Sequence, residues 1–107
     1  MPSTTIARGN SLSTFYVSAP LAPTAVASTS ATQTYPLPGL LTTDNILVVG
    51  LVGPQTAGIA YAEAECLTPN VLSIQYINTS GASATPVTGN YVLQIVRSEG
   101  PLPATAV

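Results

Sequence analysis

This sequence predicts an all-β fold: an antiparallel β-sandwich or jelly-roll-like domain with an extended N-terminal arm. Three observations lead there. Thr, Val, Ile, Ser, Pro and Gly are plentiful, while Lys is absent and Glu, Gln and Arg are scarce; that mixture favours strands joined by turns over helices. Apolar residues recur with a period of two in several short stretches, which puts alternate side chains on opposite faces of a strand. Turn chemistry interrupts these stretches about every 10 to 15 residues, the spacing of an antiparallel sandwich.

The strands follow in order. TFYVS at 14–18 is short. Residues 25–35 alternate Ala or Val with Ser and Thr and form one long edge-like strand or two short ones. NILVVGL at 45–51 is apolar on both faces, which suits a central strand. AGIAYAEAECL at 57–67 has helix-favouring Ala and Glu, but its period of two decides for a strand. Ile59, Tyr61, Glu63 and Glu65 fall on one face of it, and Ala60, Ala62, Ala64 and Cys66 on the other. VLSIQYI at 71–77 puts Leu72, Ile74 and Tyr76 together, and YVLQIVR at 91–97 sets Tyr91, Leu93 and Ile95 against Val92 and Val96. The predicted core is Ile46, Val48, Leu72, Ile74, Leu93 and Ile95.

Each break has a reason. Leu37-Pro38-Gly39 pairs a fixed φ with a residue free to take φ > 0, as a type II turn requires. Residues 53–58 form a loop with Gly at each end, LTPN at 67–70 a tight turn, and 78–90 the longest loop. The division is an arm over 1–23, a β-domain over 24–98 and a tail over 99–107 that lacks periodicity. With 107 residues, one domain of this size buries roughly 65% of its unfolded surface and folds without metals or disulfides.

The arm holds Pro20 and Pro23 and too few apolar side chains to fold alone. Yet Ile6, Leu12, Phe15, Tyr16 and Val17 lie along it. These five are the candidate contact residues. The arm is expected to order on contact, adding a strand to a neighbouring sheet edge or lying along a partner's surface.

Charge excludes whole classes of function. Only 6% of the residues are charged and the net charge is -2, against about 25% in an ordinary soluble domain. Arg8 and Arg97 are the only cations, too few for a nucleic-acid footprint or a polybasic membrane patch. No apolar run is long enough to span a bilayer, and the N-terminus lacks the pattern of a signal peptide. Synthesis in a cytoplasm is the expectation.

Chemistry is equally sparse. Without histidine there is no imidazole base or metal ligand. The single cysteine, Cys66, has no activating partner in the sequence and reads as a buried, inert thiol. Glu63 and Glu65 are the one close carboxylate pair. With Asp44 they would make a minimal Ca²⁺ set, but a solvent-facing strip that resists edge aggregation is the reading preferred here. Asp44 is expected to bond the backbone of its own turn. Asn78-Thr79-Ser80 matches a glycosylation acceptor and is read as a polar strand end. The tyrosines at 16, 35, 61, 76 and 91 are read as packing at the edge of the core. No enzyme, cofactor or metal site is expected.

One resemblance adds to this. A Ser/Thr/Ala-rich strand leads into P-x-P-G-L at 36–40, then Asp44, then the apolar strand at 46–49. Ala-Gly-Ile at 57–59 enters a strand of small residues; a strand ending in Ile-Asn-Thr at 77–79 follows, then T-P-x-x-G at 85–89 and Y-V-L-Q-I-V-R at 91–97. The order and spacing of these pieces, across 34–97, resemble the decoration (cement) proteins of tailed-bacteriophage capsids. That resemblance implies a non-enzymatic structural virion protein on the outer capsid surface, bound to the major capsid protein and stabilising the head, as a homotrimer. The alternative it leaves open is a head-fibre or tail-associated module for host-receptor or glycan binding.

Overall fold

The computed structural model describes residues 10–51 and 53–104. Within them the chain is all-β: β1 (Ser11–Leu21), β2 (Ser30–Pro36), β3 (Asn45–Leu51), β4 (Ile59–Thr68), β5 (Val71–Asn78) and β6 (Gly89–Ser98). All six join one antiparallel sheet in the order β1-β6-β3-β4-β5-β2. The stretch at 57–67 is a strand, as its alternation predicts.

The sheet is not uniformly paired. β1 lies along β6 from Ser11 opposite Ser98 to Leu21 opposite Gly89, and β3 follows β6 from Asn45 to Leu51. β4 and β2 flank β5 along most of its length. Between β3 and β4, however, only Ile46 and Ala64 face each other as partners. Among the described residues the sheet therefore falls into two three-stranded halves, β1-β6-β3 and β4-β5-β2, joined by that one residue pair.

The halves enclose a common core. In a flat sheet, β1 and β2 would lie about 24 Å apart at the usual strand spacing. Instead Phe15 and Val17 of β1 line the same small cleft as Leu37 and Leu40, just beyond β2. The sheet is curled, and its concave face gathers Leu72, Ile74 and Tyr76 from one half with Ile46, Tyr91, Leu93 and Ile95 from the other. Five of the six predicted core residues are buried; Val48 is half-buried and packs against them.

Three sequence expectations change. Ser11–Leu21 lies in the stretch expected to be an arm, but its pairing with β6 places that stretch in the sheet, so the sheet begins before residue 24. The region at 25–35 divides into a lone bridge from Val26 to Ala84 and the strand β2. In β4 the expected single face breaks at Ala62: Tyr61 faces Tyr76 but Glu63 faces Gln75, leaving Ala62 as an extra residue. Such a bulge shifts the alternation. Ile59 and Tyr61 point inward before it, Ala64 and Cys66 after it, and Glu63 is left outside.

The turns follow their chemistry. Leu40 N bonds Leu37 O across Pro38 and Gly39, with Gly39 at φ 92°. At the β4-β5 hairpin Asn70 takes φ 67°, a conformation that Asn tolerates better than most residues.

Candidate functional site

Two polar networks hold the fold, and the outward side chains of β1-β6-β3 carry no charge of their own. The first network is the Pro38-Gly39 corner. Asn70 Oδ1 accepts from Gly39 N at 2.8 Å, Asn70 N donates to Leu40 O, and Leu37 N donates to Asn70 O. Asp44 accepts from Leu41 N, as its turn position predicts. It also receives Arg97 Nε and Nη2, both at 2.8 Å, while Nη2 reaches Gly39 O. This is the two-pronged Arg–carboxylate geometry. The guanidinium also lies 5.2 Å from the Phe15 ring centroid, within cation–π range. The hydrogen bonds from Arg97, helped by Leu41 N, hold the Asp44 carboxyl below its ordinary range against the opposing effect of burial. Asp44 is thus committed to structure.

The second network is built from tyrosines. Tyr35 donates to Gln33 Oε1, so Tyr76 is the donor in the 2.9 Å contact between the two hydroxyls. Burial pushes the Tyr76 phenol far above its usual range, and its hydrogen bond to Tyr35 adds to the rise. Burial likewise raises Tyr35 and Tyr61. The Tyr61 ring packs 6.0 Å from both Tyr76 and Tyr91. Gln55 reaches in from its loop to donate to both Tyr61 and Tyr91 hydroxyls and accepts from Val87 N. Beside this, buried Asn78 donates to Val26 O and Ala82 O and accepts from Ser80 N and Oγ. Its carboxamide is fully engaged, which fits a strand end rather than a glycan acceptor.

The carboxylates do not converge. Glu63 and Glu65 follow the bulge on the outside of β4, opposite Gln75 and Ser73, while Asp44 is bound to Arg97. Among the described residues no group of three His, Cys, Asp or Glu side chains is placed to hold a metal ion. Cys66 is buried and its thiol lies 3.0 Å from Thr68 O.

What remains is surface. On the convex side of β1-β6-β3, Tyr16, Gln94 and Leu47 form one row across three strands, and Thr14, Val96 and Asn45 the next. Tyr16 is 65% exposed and Leu47 61%, high values for side chains of this kind. Val49, at a bulge in β3, is exposed too. An open groove of about 520 Å³ runs along the parted β3 and β4, lined by Leu47, Glu65, Leu67, Gln94 and Val96 among others.

Of the five candidate contact residues, Leu12 and Tyr16 are exposed, whereas Phe15 and Val17 pack against the core opposite Ile95 and Leu93. Alternation along β1 separates them. Ile6 lies outside the described residues. Sequence reasoning missed Leu47 because an apolar run looks alike whether one or both faces are buried. It missed Asn70, Gln55 and the Arg97 partnership because pairs distant in sequence leave no local signature.

No protein-family model, curated protein or solved structure matches this chain.

Proposed function

We propose that this chain is a non-enzymatic structural virion protein that binds the outer surface of a phage capsid and stabilises it. The observation that carries the reading is a rigid β-scaffold with an uncharged outer face of Tyr16, Gln94, Leu47 and Val96. Such a surface suits a lattice contact, where rigidity limits the entropy lost on docking. The order of turn and strand pieces over 34–97 supports the same reading. In it the curled sheet acts as two layers of a sandwich, each half forming one layer. The partner is the major capsid protein, and the protein works as a homotrimer, so that three modest contacts reinforce one another. No described helix is long and apolar enough to cross a membrane.

The test is the amount of this chain in purified particles, measured by quantitative mass spectrometry against the major capsid protein. Hundreds of copies per particle are expected. A few dozen or fewer would replace decoration with a fibre or tail role, and none would overturn a virion role.

A further inference from the structure

We propose that the Pro38-Gly39 end of the sheet seats in an apolar hollow of a partner protein whose rim is basic. The inference rests on the reading above for the partner's identity, the major capsid protein, and names which end of the molecule docks and by what chemistry.

This end is built inside out. Strand ends and turns ordinarily put polar side chains in water and apolar ones inside. Here Asp44 is only 7% exposed, while Leu41, three residues earlier, is 43% exposed. Leu12, Leu67 and Leu102 share this end, exposed to 63%, 71% and 61%. Single exposed leucines are ordinary; four at one end of a small domain make a patch of the kind that marks an interaction site. Their placement follows from pairing. Leu12 falls at the irregular step of β1, between Ser11 opposite Ser98 and Ser13 opposite Arg97. Leu67 stands just before the β4-β5 turn, and Leu102 follows the end of β6. Thr42 lines the groove with Leu67, and Thr43 lines a cleft with Glu99 and Leu102. The loop that carries Leu41 therefore stands between two hollows. Asn70 N to Leu40 O, Asp44 N to Leu41 O and Glu99 N to Asn10 O fix the backbone beneath. The leucines are held outward on a rigid frame, which limits the entropy lost on docking.

Charge selects the occupant. Glu65 lines the groove beside Leu67, Glu63 lies farther along the same strand, and neither makes an ion pair among the described residues. Arg97, the one cation among the described residues, is bound to Asp44. A second copy, with two cations in its 107 residues, would bring carboxylates to carboxylates. An anionic lipid surface would be repelled in the same way. A partner with lysines or arginines around an apolar hollow matches both the leucines and the glutamates. The groove also includes Leu47, Gln94 and Val96 of the outer face, so end and face make one continuous contact with the same partner.

The test measures binding of the full chain to purified capsids that lack it. An unmodified chain that does not bind would overturn the capsid reading and this inference together. The triple variant Leu41→Ser/Leu67→Ser/Leu102→Ser is expected to bind about 10-fold more weakly or worse. Ile77→Ser, at the opposite end of the sheet, is expected to bind as the unmodified chain does. A triple variant that binds normally, or an equal loss with Ile77→Ser, would overturn this inference alone. Glu65→Gln is expected to weaken binding roughly two- to fivefold and to flatten its dependence on salt; an unchanged salt dependence would overturn the basic rim. Hydroxyl-radical footprinting of the unmodified chain keeps the test independent of how the variants fold. Oxidation of Leu12, Leu67 and Leu102 is expected to fall on capsid binding while that of Ile77 does not, and unchanged oxidation at the leucines would overturn the proposal. So would the same protection in the chain alone at millimolar concentration, which gives the end to a second copy, or on vesicles of phosphatidylcholine and phosphatidylglycerol, which gives it to a membrane.

Discussion

The two halves of the sheet are built by different rules. In β4-β5-β2 the central strand β5 is flanked by hydroxyl-bearing β2 and by β4 with its two glutamates, and the inward tyrosines 35, 61 and 76 are tied through phenol hydrogen bonds. In β1-β6-β3 the inner face is mostly aliphatic, the outer face is uncharged and mixes Tyr16, Leu47 and Val96 with Thr14, Asn45 and Gln94, and one ion pair closes the end. The first half spends its polarity inside and its charge outside. The second keeps charge at a single corner and leaves its exterior neutral. A small protein with few charged residues can thus present two chemically different exteriors on one core.

The largest expected effects test whether the halves form one cooperative unit. Leu72 and Leu93 are fully buried, one in each half. Replacing either by Ala is expected to cost about 2–5 kcal/mol and to lower the same single unfolding transition in denaturant. Two separated transitions would show that the halves unfold independently. Asn78→Ala, which frees Val26 O and Ala82 O, is expected to cost about 2–4 kcal/mol, read as a lower melting temperature by calorimetry. Gly58 sits at φ 84°, and a Cβ there would lie 2.9 Å from Ser80 Cβ. Gly58→Ala is expected to destabilise by about 1–3 kcal/mol, measurable by the same method.

A smaller effect separates the halves by pH. The native carboxyl of Asp44 is held low by Arg97. Its contribution is therefore present above the unfolded value of about 3.9 and fades as pH falls through the lower native value. The phenols of Tyr35, Tyr61 and Tyr76 are held high. Above about pH 10 the unfolded chain releases protons that the native one keeps, so stability drops as pH rises. Acid should loosen β1-β6-β3 first and alkali β4-β5-β2, as read by amide exchange in each half. The smallest effect is at Glu63 and Glu65: replacing both by Ala is expected to shift stability by no more than about 0.5 kcal/mol.

How much of this was legible depended on how local each cause was. The Pro38-Gly39 turn, the alternation of β5 and β6 and the turn bond of Asp44 each rest on neighbouring residues, and the structure repeats them. The bulge at Ala62 does not show in the sequence, because an extra residue between small side chains leaves the pattern intact until pairing is known. The placement of 11–21 was missed for a related reason. Its aromatic residues were visible, but their partner is β6, at the far end of the chain. The outer face needed topology as well, since only the sheet order sets Tyr16 in line with Leu47.

That pairing of β1 with β6 has a consequence for how the protein is made. Among the described strands, the one synthesised first completes its ladder only with the one synthesised last, while the β4-β5 hairpin closes on itself through a two-residue turn. During translation β1 must therefore wait, with its apolar side chains unpaired, until β6 has left the ribosome. Joining positions so far apart carries a loop-closure cost that local hairpins avoid. The half with the neutral exterior is then the one assembled late, and a nascent chain lacking 89–98 would leave β1 without its ladder.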